Sequence, residues 1–170
     1  TVAIAGSPSI SGGKLEANSG GRLATGTDAQ DTLNSVRVIG ELEIATFSNV
    51  TISGAMSSID GDVVVNTPTT SGNASVSFRV SADVGAGAIV LNGTMANPER
   101  ATLASTVTVD HPPARAVVGT GLVTGQHVFR GLISPGNAAD RIGAIRGRGS
   151  IDVVTLGPTS RVRIDVDDVT

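Results

Sequence analysis

Along most of this chain apolar and polar residues alternate one for one, the two-residue period of a strand with one buried face. In Ser35-Val36-Arg37-Val38 the two valines share a face, and in Glu41-Leu42-Glu43-Ile44 the leucine and isoleucine oppose the glutamates. The run Ser75 to Ser81 turns Val76, Phe78 and Val80 to one side. Leu103, Val107 and Val109 alternate with Thr102, Thr106 and Thr108, and Val162, Ile164 and Val166 alternate with Arg161, Arg163, Asp165 and Asp167. A slip of one residue in any of these would move its whole apolar set to the wrong face.

Turn signals separate the runs: Ser53-Gly54, Asp60-Gly61, Ser71-Gly72, Asn92-Gly93 and Gly157-Pro158, with Pro112-Pro113 forcing an extended break. Helix signals are sparse. Asp28 to Val36 has room for one short turn, and Asn97 followed by Pro98 opens another. The fold class is therefore all-β, with short strands in close succession. Two architectures fit that spacing, an antiparallel β-sandwich and a parallel β-solenoid. A sandwich normally fills the space between its sheets with large aromatics, and this chain has three Phe and no Trp or Tyr. Val, Ile, Leu and Ala are what a narrow stacked core needs, with Gly at the corners. The expectation is a parallel β-solenoid of seven or eight turns at roughly 20 residues per turn, with Thr, Ser, Arg and Asp outside. Asn92-Gly93, which suits a tight hairpin, favours the sandwich.

Length and composition narrow the class further. The 170 residues make a single domain, 1–170. With no cysteine there is no disulfide framework, thiolate metal site or thiol catalysis. A formal charge of −3, with no aromatic-flanked basic cluster, gives no reason to expect a nucleic-acid partner. No apolar run reaches the roughly 20 residues of a membrane span.

Chemistry-bearing groups are few. His111 and His127 are the two histidines, without ligand spacing, and read as exposed strand or turn residues. Asp60 and Asp62, two apart, are read as sharing one face of a strand; with the terminal aspartates they are the carboxylate pairs that a polysaccharide-cleaving enzyme would use. Such enzymes hold sugars on exposed aromatics, and Trp and Tyr are missing here, so no catalytic residue and no cofactor are expected. Asp165, Asp167 and Asp168 are a weak calcium candidate. Glycines 143, 147 and 149, and Gly85 with Gly87, read as turns and close packing. Asn49, Asn73 and Asn92 each begin an Asn-x-Ser/Thr triplet and would map to exposed turns. Long loops at Gly26 to Asn34 and Asp110 to Arg115 are where a binding module would carry its ligand site.

From Gly131 to Asp168 the sequence reads GLISPGNAADRIGAIRGRGSIDVVTLGPTSRVRIDVDD. Leu132, Ser134-Pro135-Gly136-Asn137, Ile142-Gly143, then Leu156, Ser160, Val162, Ile164 and Asp165, resemble the repeat near the end of bacterial autotransporter passenger domains and related surface β-helices. The spacer Ala138 to Arg141 is longer than that repeat usually has, and the chain stops where the family continues with further turns. The resemblance implies a right-handed β-helix at a cell surface or secreted. In the residues themselves, Pro135-Gly136 suits a type II turn. Thr1 rather than Met opens the chain, and both ends read as strands that need partners: Val2 and Ile4 at one, Val162, Ile164 and Val166 at the other. These five are the candidate subunit contacts. The functional expectation is a secreted structural subunit that stacks head-to-tail into a filament or matrix, its partners being copies of itself or neighbouring turns of a larger chain. The alternatives are a fragment of a passenger or adhesin, and a polysaccharide-acting β-helix enzyme.

Overall fold

The computed structural model describes residues 1–17, 21–67, 71–81, 83, 85–136, 143–147, 153–158 and 161–162. Among them lie twenty short strands and one 3-10 turn, Pro98–Arg100. Every ladder between these strands is parallel. The chain is a parallel β-solenoid of about six turns, not a sandwich.

Three walls enclose the core. The first stacks Val2–Ile4, Arg22–Thr25, Glu41–Ile44, Val63–Asn66, Gly87–Asn92, the start of Arg115–Thr124, Leu132–Pro135 and Arg161–Val162. The second stacks Ser9–Ser11, Gln30–Asn34, Asn49–Ser53, Ala74–Phe78, Ala101–Ser105, the end of Arg115–Thr124 and Ile145–Gly147. The third is in two pieces. Lys14–Glu16, Arg37–Ile39 and Ser58–Asp60 form one, and Val109–His111, Gln126–Phe129 and Val153–Leu156 the other. Between the pieces runs the irregular stretch that carries Asp83 and Gly85, joined below by the Asp60–Ala86 bridge and above by the Asp83 amide on the Asp110 carbonyl.

Parallel pairing in register sets each inward side chain on its counterpart one turn away. Leu23, Leu42, Val63, Ile89, Val117 and Ile133 form one such column, and Val50, Val76, Leu103 and Val123 another. All ten are buried. The alternation read from the sequence holds for Val36 and Val38, Leu42 and Ile44, and Val76, Phe78 and Val80, which all point inward. It fails at Val107, which is 41% exposed because the chain bends there between strands.

The corners depend on glycine. Gly40, Gly61 and Gly87 stand above one another where the third wall turns into the first, each with positive φ. A Cβ on Gly61 would lie 2.3 Å from the Gly40 carbonyl oxygen, and one on Gly87 2.7 Å from the Gly61 carbonyl carbon. At the next corner the ten-residue strand Arg115–Thr124 passes from the first wall to the second through Gly119, at φ +102°.

Several expectations are corrected. The turns number about six rather than seven or eight, because they are uneven and most are longer than 20 residues: register partners one turn apart are separated by 16 residues at Val117 and Ile133 and by 29 at Leu132 and Arg161. Asp28 to Val36 is not helical: Gln30–Asn34 is a strand of the second wall. Asn97 precedes the 3-10 turn without a side-chain cap, and Pro98 opens it. Asn92 ends a parallel strand and the Gly93 amide bonds the Thr120 carbonyl one turn on, so no hairpin forms there. Asn49 and Asn92 lie in strands rather than turns. Gly136 has the expected positive φ, but it bridges antiparallel to Gly119, following Pro135 as the last residue of a strand. Gly147 has open space where its Cβ would be, and Gly149 lies outside the described residues.

Gly61→Ala combines a strained φ with a backbone clash that no side-chain rotation relieves. It is expected to lower stability by about 1–3 kcal/mol or more, read as a drop in the urea midpoint at unchanged slope.

Candidate functional site

Most of the site residues expected from sequence do not converge. Asp60 and Asp62 flank the Gly61 corner instead of sharing a strand face. Asp60 accepts from Arg37 Nε at 3.0 Å, and Asp62 Oδ1 accepts from the Ala88 amide at 2.7 Å. Asp165, Asp167 and Asp168, with Ile164 and Val166, lie outside the described residues, and Val162 lies in the last strand of the first wall. Neither candidate ligand loop stands out from the coil. Residues 30–34 are strand, and 110–115 form the short passage from Val109–His111 into Arg115–Thr124. Val2 is 59% exposed and Ile4 buried, on the first strand of the first wall.

What the structure does bring together was not expected. His111 and His127 are not exposed but fully enclosed, at 0% and 1%. Parallel pairing puts His111 over Phe129 and Val109 over His127, so both imidazoles point into the core at the break in the third wall. His111 Nδ1 lies 3.0 Å from Asp83 Oδ2, and His111 Nε2 lies 2.9 Å from His127 Nδ1. His127 Nε2 ends the chain 3.0 Å from the Thr124 carbonyl oxygen. Phe129 stacks on His111 with centroids 4.7 Å apart, and Phe78 meets His111 edge-on at 5.7 Å.

Arg115 anchors the other side of Asp83. Its Nε donates to Oδ2 at 2.8 Å and its Nη2 to Oδ1 at 3.0 Å, a bidentate pair. The remaining hydrogens go to backbone carbonyls of Ala86, Ile59 and Gly61, at 2.7, 2.8 and 3.1 Å. The Ile59 and Ala86 carbonyls each already accept a backbone amide and take the guanidinium on a second lone pair. Arg115 starts in the corner column above Gly87. Gly85 leaves the space its side chain needs: a Cβ there would lie 2.0 Å from Nη2. One arginine thereby ties three successive turns together. Burial alone would raise the Asp83 pKa, but the hydrogen bonds and positive charge of His111 and Arg115 outweigh it and hold the carboxyl well below the usual range.

A second buried carboxylate has no such company. Asp31 is paired in register with Val50, at the foot of an aliphatic column, and is 1% exposed. Neither of its oxygens has a hydrogen-bond partner. Desolvation raises its pKa, as expected for an uncompensated buried charge.

Among the described residues no group of three His, Cys, Asp or Glu is arranged to hold a metal. The two histidines bond each other, and the acid between His111 and Arg115 is fully engaged. The arrangement can bind protons and hold turns together; it has no opening to substrate, since Asp83, His111, Arg115 and His127 are each 4% exposed or less. No helix of the described residues is long and apolar enough to cross a membrane. Compared with protein-family models, curated proteins and solved structures, the chain matches none. Fold and interior define a parallel β-solenoid with a hydrogen-bonded polar segment in its core.

Two substitutions separate the two acids. Arg115→Met removes the partner of a buried carboxylate and is expected to cost about 3–5 kcal/mol by urea unfolding at pH 7. Because Asp83 has a depressed pKa, its contribution is complete above its ordinary value of 3.8 and disappears as the pH falls below it. Asp31→Val continues the column and is expected to raise stability by about 1–3 kcal/mol at pH 7. The raised Asp31 pKa sets the opposite sign: the native chain's penalty is full above the folded pKa and fades as the pH falls toward 3.8. The gain from Asp31→Val, measured as the difference between the two urea curves, shrinks over that interval.

Proposed function

We propose that this protein is a structural subunit of a secreted rod or filament, extended by adding parallel turns from further copies of the chain. The observation that carries the reading is the open edge of the first turn. Val2–Ile4, Ser9–Ser11 and Lys14–Glu16 each pair with the second turn alone, and among the described residues no helix covers their other side. Unpaired strand edges are templates for further pairing. Arg161–Val162, the last strand of the first wall, pairs with Leu132–Pro135 alone among the described strands. Among the described strands the first wall thus has one unpaired side at Val2–Ile4 and another at Arg161–Val162, and a head-to-tail contact between two such sides does not close, so it propagates.

The proposed contacts are Val2 and Ile4 on one copy against Val162, Ile164 and Val166 on the next. A mechanical role suits the interior, where Arg115 and the glycine corners lock turns together. A sugar-cleaving role is less well supported: Asp60 is tied to Arg37 and Asp62 to a backbone amide, so that pair is engaged in holding turns. The extracellular setting rests on the resemblance of residues 131–168 to surface β-helices.

The test is the state of association. Light scattering and electron microscopy of the purified chain over a range of concentrations are expected to show linear, concentration-dependent assemblies. The Thr32 amide bonds the Pro8 carbonyl, so by alternation the Ser9 amide points away from the second turn. Ser9→Pro removes that outward donor and is expected to abolish assembly while leaving the unfolding free energy of the monomer, read from urea curves, within about 0.5 kcal/mol. Monomers at every concentration, or filaments indifferent to Ser9→Pro, would defeat the reading.

A further inference from the structure

The unpartnered carboxylate of Asp31 lies one turn from the open end of the coil. In its strand the Gln30 amide bonds Ser7 Oγ at 3.0 Å and the Thr32 amide bonds the Pro8 carbonyl at 3.0 Å. Ser9 pairs in register with Thr32, so Pro8 lies directly beneath Asp31, as Val50 lies above it. Neither helps the acid: valine is apolar, and proline has no amide hydrogen to give. Asp31 is nevertheless 1% exposed. On the end side, the part of the chain that shuts it from water is the first turn, residues 1–17.

That turn is lightly held. Its strands, Val2–Ile4, Ser9–Ser11 and Lys14–Glu16, are three residues each and pair with the second turn alone. Within it Ile4 alone is buried; Val2 is exposed, and Ile10 and Leu15 are half-buried. A terminal turn that buries so little is where a solenoid opens first. Closing it encloses an unpaired acid, and opening it returns that acid to water. We propose that residues 1–17 form an acid-closed lid over Asp31, held on the second turn most firmly while the carboxyl carries its proton and let go as it ionises. Release uncovers the edges of Arg22–Thr25, Gln30–Asn34 and Arg37–Ile39 and leaves the turns above folded.

The charged groups on the elements around Asp31 face away from it. In the first turn Thr1, Lys14 and Glu16 are exposed, and Lys14 pairs with Glu16. On the first wall Arg22, Glu41 and Glu43 flank the inward Leu23, Leu42 and Ile44, with Arg22 on Glu43 at 2.8 Å. On the third, Arg37 and Asp60 flank the inward Val38 and Ile59 and pair at 2.9 Å. Asp28 is exposed at the corner before Ala29, and the strand above, Asn49–Ser53, has no titratable residue. Burial is what raises the Asp31 pKa. With the lid open, the carboxyl returns to its ordinary value of 3.8. Below that pH both forms hold the proton and the lid is at its most stable. As the pH rises from there through the raised value, opening releases a proton, and the opening constant grows by up to about tenfold per pH unit before it levels off.

Amide hydrogen exchange on dilute monomer reads the lid, and assembly plays no part in it. The amides of Gly12, Ala17, Gly26 and Thr32 bond between the first and second turns, and those of Asn49 and Ser75 between turns further in. The first set is expected to be less protected than the second and to respond less to added urea, because opening the lid exposes only part of the surface. Corrected for the intrinsic pH dependence of exchange, its protection is expected to fall as the pH rises above about 4, by up to about tenfold per unit. Asp31→Asn keeps the shape of the side chain and removes the titration, and is expected to flatten that profile. Equal protection and equal urea response in both sets would mean that the first turn opens only with the whole chain, and would overturn the proposal. A flat profile in the native chain, or an unchanged one in Asp31→Asn, would overturn it too. If the variant does not fold, the two sets of amides in the native chain decide.

Discussion

In a parallel solenoid every inward residue stands on the residue one turn below it, and that constraint shapes the whole molecule. A column accepts only side chains whose neighbours above and below suit them. Leu23, Leu42, Val63, Ile89, Val117 and Ile133 satisfy it by being alike. Gly40, Gly61 and Gly87 satisfy it by having nothing to stack, which lets the backbone of one corner approach the next. The same rule brings Asp83, His111 and His127 together: they occupy successive turns of one wall, and no sequence motif links them.

The strand pattern, the all-β class and the choice of solenoid over sandwich were legible in the sequence, because alternation and a shortage of aromatics reflect the narrow core directly. The inward sets at Val36 and Val38, Leu42 and Ile44, and Val76, Phe78 and Val80 are where they were expected. The polar core was not legible, and the reason is register. His127 sits in a strand whose alternation puts either Gln126 and Val128 or His127 and Phe129 inside. Hydropathy is split between those sets, and only the turn-to-turn pairing of Val109 with His127 and His111 with Phe129 decides it. Arg115 was hidden by its charge. One available signal was the glycine at position 85, which makes room for a guanidinium arriving from 30 residues further along the chain. The calcium candidate and two of the five proposed subunit contacts, Ile164 and Val166, fall outside the described residues.

The two enclosed acids show how the same constraint yields opposite outcomes. Asp31 has Val50 above it in register and no donor within reach, so its charge is uncompensated. Asp83 lies where the third wall loses its regular ladder, and there the backbone is free to offer a carboxylate, a guanidinium slot and spare carbonyl lone pairs in one place. Burial pushes both carboxyl pKa values up; at Asp83 the hydrogen bonds and ion pair on the carboxylate outweigh it, and Asp31 has no such partners.

That placement bears on what the molecule is for. An enzyme arranges acids, bases and a guanidinium around a cleft, with reactive atoms open to substrate. Here the same residue types face inward, at a break in a wall, and most of their polar contacts cross from one turn to another. Arg115 alone reaches carbonyls on two earlier turns. Aliphatic columns hold turns together by contact that is indifferent to small sliding movements. A bidentate ion pair and a line of hydrogen bonds fix both the spacing and the rotation of one turn on the next. In the proposed role as a rod subunit, that kind of registry matters most where the ladder is interrupted, which is where this network lies.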